Sequence, residues 1–259
     1  MIAEPGKRKC EWGWNRSVHG QIQRIRPIRI VLHVSPIRFA QGKLIFTLHE
    51  RDIMTRNLRA KDLILTPELT TDEVNQILER YGFQDTSRAD RNLQNLAAGL
   101  PPLHEAFGEI VEFLLRSVAD SSAPDAALNN FERFAAATFD RLWLYRLLRE
   151  APFLFPILTT CFGSSTYLSD ILVRNPEYFY ELIDASVMSA PKNRETMHNE
   201  LTKSVQLFKL VEQKLNAMRR YKRKETLRIG LRDLLGDADL ETTTLELTNL
   251  AEAALQVCY

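Results

Sequence analysis

Cysteine is scarce in this chain, and the residues that gather around metals are scattered. Cys10, Cys161 and Cys258 stand far apart and are odd in number. No Cys-x-x-Cys pair or Cys/His group occurs, which argues against zinc and a disulfide framework and fits a reducing compartment. No apolar run approaches the ~20 residues that cross a bilayer. The first residues carry no apolar stretch before a small-residue cleavage site, so the expected location is the cytoplasm and no membrane contact is expected. Net charge is almost absent: 34 Lys and Arg face 33 Asp and Glu, for +1 overall. The chain as a whole therefore has no bias toward nucleic acid. No strand followed by a Gly-rich turn interrupts it, which removes the alternating α/β class.

The charge that is present is unevenly placed. Up to Asp62, Lys and Arg outnumber Asp and Glu by about eight, and beyond it acids lead by about seven. Residues 1–62 read as a basic N-terminal extension rather than a domain. Ile22, Arg24, Ile25, Arg26, Ile28, Arg29 and Ile30 hint at a strand, but Pro27 interrupts it. A poorly ordered or partly extended segment is expected there. Residues 63–259 read as a helical domain of a different kind.

From Leu63 onward one helix follows another. Thr70 with Glu73 forms a capping box, Val74, Ile77, Leu78 and Tyr81 share a face, and Gly82 offers a stop. Ala89, Leu93, Leu96 and Ala97 form a second stripe, and residues from Leu103 to Val118 a third. Pro124 suits the first turn of a fourth helix, with Leu128, Phe131, Phe134, Ala135 and Phe139 inward, running on through Trp143 and Tyr145. Pro156 is expected to bend or split the next segment. A single long helix is predicted over about 194–235, with Val205, Phe208, Val211, Leu215 and Met218 buried and Leu227, Leu231, Leu234 and Leu235 continuing that face. Asp239 caps the last helix, with Leu245, Leu247, Leu250, Ala251, Ala254 and Leu255 inward. The fold class is all-α, a multi-helix, bundle-like array.

One stretch, Gly163 to Phe179, raises a chemical question. A Gly-Ser pair followed by a carboxylate opens the active site of many nucleotidyltransferases. Such chemistry needs carboxylates converging on a divalent metal. Here Asp170 is followed by Ile171 and Leu172, and the segment reads as helix, where residues two apart diverge. Asp170 is therefore expected as a solvated helix residue or a polar contact between helices. No catalytic residue and no metal ligand is assigned.

The same stretch nonetheless resembles a signature of the bifunctional glutamine synthetase adenylyltransferase/adenylyl-removing enzymes. Gly163, Ser165, Leu168, Asp170, Leu172, Arg174, Pro176 and Glu177 match a Gly-x-Ser-x-x-Leu-x-Asp-x-Leu-x-Arg-x-Pro-Glu run. Downstream, Arg228, Ile229, Arg232, Asp233, Leu234, Leu247, Leu250, Ala251 and Glu252 resemble a second family stretch. With the upstream segments, the resemblance covers roughly residues 65–255 in the expected order. It implies the helical part that precedes a nucleotidyltransferase domain, in the half of the enzyme that removes AMP. It also implies magnesium and ATP or phosphate for the full-length enzyme, with none held by this chain. The implied partners are glutamine synthetase, a nitrogen-signalling regulatory protein and the missing nucleotidyltransferase domain. On this reading the chain stops before the family's Gly-Ser and Asp-x-Asp acids and is inactive alone. The alternative is a freestanding helical module that binds glutamine synthetase or a regulator.

Arg228, Arg232 and Asp233 are the candidates to face a nucleotide or substrate. Arg228 and Arg232 share a face and could clamp phosphate oxygens, or could pair with Glu225, Asp233 or Asp237 to fix the turn at Gly236. Gly163, Ser165, Asp170, Arg174, Pro176 and Glu177 are expected to be structural. The run Arg219, Arg220, Lys222, Arg223 and Lys224 reads as a solvated face, a surface near nucleotide, or a nucleic-acid contact, the last disfavoured because Tyr221 is its one aromatic.

Overall fold

Local signals set most of the helix ends. The computed structural model describes residues 59–66 and 69–258, apart from the side chains of Ala185 and Ser186, and these residues lie in a single unit. The readings made for residues 1–58 lie outside the described residues. All regular structure among the described residues is helical.

A short α1 (Asp62–Leu65) precedes α2 (Thr71–Arg80). The Thr70 hydroxyl accepts from the Glu73 N–H at 3.3 Å, and the Glu73 carboxylate accepts from the Thr70 N–H at 2.8 Å. Two orphan donors of the first turn are thereby satisfied. Gly82 ends the helix with φ +82°, a conformation that side chains resist. Asp85 caps α3 (Thr86–Ala97), whose stripe of Ala89, Leu93, Leu96 and Ala97 is buried. α4 (Pro101–Ala119) and α5 (Pro124–Ala137) both start on proline, whose missing N–H is harmless there.

α5 does not run on. It stops before Thr138, and Asp140 accepts from the Trp143 N–H at 2.9 Å to start α6 (Arg141–Glu150). The break resets the helical phase. Phe139, expected in the core, is fully exposed at 106%, and Trp143 is 47% exposed, its ring edge-on to Tyr180 at 4.9 Å. Phe131, Phe134 and Tyr145 are buried as expected. Pro156 neither bends nor splits α7 (Leu154–Ser164), because it falls in the first turn, where no hydrogen bond is lost. α8 (Thr166–Arg174), α9 (Glu177–Leu182) and α10 (Ala185–Met188) follow. The first nine helices surround one apolar core that includes Phe107, Leu114, Phe134, Phe162 and Phe179.

The predicted single helix over 194–235 is two helices, α11 (Arg194–Gln206) and α12 (Val211–Leu234). The break at 207–210 again shifts the phase, leaving Val211 and Leu215 exposed where burial was expected. Val205, Phe208 and Met218 are half-buried. α12 is buried on two sides. Leu227 and Leu231 join the first core, while Tyr221 and Ile229 join Met197, Leu201, Leu250 and Ala253 in a second one. Gly236, with φ +78°, turns the chain into α13 (Leu240–Cys258), and the Asp239 carboxylate accepts from the Thr242 N–H at 2.8 Å. α13 is rotated from the expected orientation. Its inner face is Thr243, Glu246, Leu250 and Ala253, and Leu245, Leu247, Ala251 and Leu255 face outward. Glu246 turns inward because two buried arginines await it. No helix among the described residues is long and apolar enough to cross a membrane.

Candidate functional site

The signature stretch joins α7, α8 and α9. A side chain at Gly163 would meet Ser121 at 3.1 Å, so glycine permits the close approach of the 121–123 turn, where the Ser122 hydroxyl donates to the Gly163 carbonyl at 2.9 Å. Ser165 caps α8, accepting from the Leu168 N–H at 3.3 Å. Pro176 and Glu177 begin α9. Arg133 of α5 donates to Asp170 at 2.9 Å, tying α8 to α5. Asp170 and Arg174 line a cavity of about 370 Å³ with Tyr167, Ile171, Asn175 and, from α12, Arg223.

The basic run on α12 disperses around the helix. Arg219 donates to Asn216 at 2.9 Å, Arg220 lies over the Phe208 ring at 5.8 Å, and Lys224 pairs with Glu181. Lys222 and Arg223 form no ion pair with any described residue and are exposed.

Arg228 and Arg232 do meet, in a buried ionic cluster. Arg228 is 0% exposed. Its Nε donates to Glu225 at 2.8 Å and its Nη2 to Glu246, while Arg232 Nη1 donates to the other oxygen of Glu246. Lys192 donates through Nζ to Glu225 at 2.9 Å and Glu200 at 2.8 Å, and through its backbone N–H to Glu246 at 2.9 Å. The Tyr221 hydroxyl donates to Glu200 at 2.8 Å. Three cations thus balance three carboxylates contributed by α11, α12, α13 and the turn before α11. Asp233 stands apart and accepts from the Thr243 hydroxyl at 3.1 Å. Asp237 meets Arg232 through its backbone, its carbonyl accepting from Arg232 Nη2 at 3.4 Å and its N–H donating to the Arg232 carbonyl at 2.8 Å.

Burial alone would lower the basicity of Lys192 and Arg228. The carboxylates beside them outweigh that and raise both above their ordinary values. Burial likewise pushes Glu200 up, but hydrogen bonds from Lys192 and Tyr221 win and hold it below its ordinary 4.5. Burial, with the charge of Glu225 beside it, raises Tyr221, so its hydroxyl remains a donor. The arrangement holds three helices together, and its charges are used internally. The Nη1 of Arg228 and the Nε of Arg232 are buried without a hydrogen-bond partner among the described residues.

Lys192, Glu200, Tyr221 and Glu246 were missed in the sequence. A signal existed for Glu246: taking Leu250 as inward places Glu246, four residues earlier, on the same face. For Lys192 and Glu200 no spacing rule applied. Cys161 is inert, because burial pushes its thiol up to about 12. Among the described residues, no group of three or more His, Cys, Asp or Glu could hold a metal ion. Magnesium, implied for the full-length family enzyme, therefore finds no fitting donor set in these helices.

The family model for glutamate-ammonia ligase adenylyltransferase matches residues 156–259, which take in both motif stretches. That segment is thus similar to the glutamate-ammonia ligase adenylyltransferase family. Bifunctional glutamine synthetase adenylyltransferase/adenylyl-removing enzymes are similar to the chain over more of its length. The one from Corynebacterium glutamicum is 26% identical over 86% of this chain and 21% of its own length. That of Streptomyces coelicolor is 27% identical over 83% of the chain and 21% of its own, and that of Cutibacterium acnes 23% identical over 91% and 24%. The chain thus spans about a fifth to a quarter of these curated relatives, and the resemblance read from the motifs is borne out.

Proposed function

We propose that these helices are a scaffold in AMP transfer to or from glutamine synthetase, supporting that chemistry without performing it. Within the scaffold, the ionic cluster fixes α13 against α11 and α12. The observation that carries the reading is the outer face of α13. Leu247, Ala251 and Leu255 recur every four residues there and are exposed, Leu247 by 44% and Leu255 by 61%. An apolar stripe on a helix whose other face is already clamped fits docking of another folded part. On the family resemblance that part is a nucleotidyltransferase domain, and magnesium with ATP or phosphate would be held there. Glutamine synthetase and a nitrogen-signalling protein are the partners this reading carries.

A graft tests it. The chain's helices replace the matching helices of the Corynebacterium glutamicum enzyme, and AMP turnover on glutamine synthetase is measured. Turnover is expected, and Leu247→Asp with Leu255→Asp should abolish most of it while helicity is kept. Unchanged turnover in the double variant would overturn the docking role of α13. The freestanding binding module is favoured instead if the chain alone captures glutamine synthetase through that face.

A further inference from the structure

We propose that the cavity between α8 and α12 binds a small phosphate-bearing molecule. This goes beyond the scaffold reading and does not depend on it. The cavity, about 370 Å³, is of a size that takes small ligands. Its lining holds two cations and one acid. The acid, Asp170, is already engaged by Arg133 from outside the lining. Arg174 and Arg223 form no ion pair with any described residue, although five other basic residues of α12 (Arg219, Arg220, Lys224, Arg228 and Arg232) each have a partner.

Two unpaired guanidinium groups from different helices suit one phosphate, since each can offer a planar fork of donors to its oxygens. A single carboxylate would neutralise only one of the two charges, whereas a phosphate dianion neutralises both. Tyr167, 61% exposed, adds a ring face and a hydroxyl at the rim. Asn175 adds less, because its amide N–H already donates to the Ile171 carbonyl at 2.8 Å. The helices that carry the arginines are held close. A side chain at Gly230 of α12 would meet Leu168 of α8 at 2.7 Å. The two cations are therefore presented by a rigid pair, which lowers the ordering cost of binding.

Calorimetric titration of the full chain at low ionic strength, without added metal, tests the site. The probes are inorganic phosphate, glycerol 3-phosphate and AMP. One-to-one saturable binding of at least one probe is expected. Arg174→Ala and Arg223→Ala should each weaken it by about tenfold or more, while Lys222→Ala from the same basic run should change it less than about twofold. Circular dichroism of these exposed-site variants confirms that they remain folded. Equal affinity for phosphate and AMP assigns recognition to the phosphate group alone. Tighter AMP binding that Tyr167→Ala removes assigns the ring face as well. Absence of saturable binding for all three probes, or alanine variants that bind as the unmodified chain does, would overturn the proposal.

Discussion

The two regions of this molecule are held together by different means. α1 to α9 close over a core of aliphatic and aromatic side chains, in which Phe134 meets Phe162 and Phe179 at 5.6 and 5.7 Å between ring centres. α11 to α13 share only a small apolar cluster and rely on Lys192, Glu200, Glu225, Arg228, Arg232 and Glu246. Apolar burial tolerates imprecise contacts. A buried ionic set requires each charge to be matched, so it fixes one arrangement of helices at a modest net gain in stability. That suits a segment whose outer face must be presented in a set orientation.

The comparison breaks most visibly at its two centres. Arg228→Ala leaves Glu225 and Glu246 buried with too little positive charge and should cost about 3–5 kcal/mol. Phe134→Ala should cost a similar ~3–5 kcal/mol through the cavity it leaves. Urea unfolding gives the size, and hydrogen exchange separates the two. Arg228→Ala should speed exchange in α11 and α13 while sparing α4 and α5, and Phe134→Ala the reverse. Equal effects in both regions would erase the distinction.

A smaller effect is expected where the regions meet. Gly230→Ala pushes a methyl group toward Leu168 and should cost about 1–3 kcal/mol, at the lower end because the nearest atom is the end of a flexible side chain. A neutral result in thermal unfolding would mean that α12 and α8 pack more loosely than described.

The pH dependence sharpens the contrast further. Glu200 lies below its ordinary 4.5 in the folded state, so its contribution is complete above that value and is lost as pH falls through the folded value. Lys192 lies above its ordinary 10.5, so its contribution is complete below that value and is lost as pH rises through the folded value. Exchange protection in α11 to α13 should therefore be flat between about pH 5 and 10 and fall outside it. A maximum within that window would require a titrating group other than these two.

The smallest effects test the helix break at 138–140. Asp140→Ala removes a cap and should cost about 1 kcal/mol. Phe139→Ser next to it should change stability by less than about 0.5 kcal/mol, because its ring is already in solvent. A large loss at Phe139 in thermal unfolding would restore the continuous helix that periodicity predicted.

What could be read in the sequence was local. Thr70 with Glu73, Gly82, Ser165, Gly236 and Asp239 mark their helix ends because a cap or a turn needs particular residues at particular places. The stripes of α3 and α4 were legible because each faces one apolar core. Phase was lost after each short break, at 138–140 and 207–210, where a few residues rotate all that follows. The face of α12 was read in part, since Leu227 and Leu231 are buried as expected, but its charged side and the face of α13 were missed for another reason. A helix face that buries Glu225, Arg228, Arg232 or Glu246 shows no apolar stripe on that side, and exposed leucines such as Leu215, Leu247 and Leu255 supply a false one. The signature residues were found by their order, but the cavity joining Asp170 and Arg174 to Arg223 depends on a contact between helices that no spacing reveals.

The most direct test of the scaffold reading uses the chain alone. Purified chain is incubated with magnesium, radiolabelled ATP and glutamine synthetase, and in parallel with labelled adenylylated glutamine synthetase and phosphate. The account predicts no transfer of label to the synthetase and no release from it beyond the blank. Sustained turnover in either direction by these helices would contradict it.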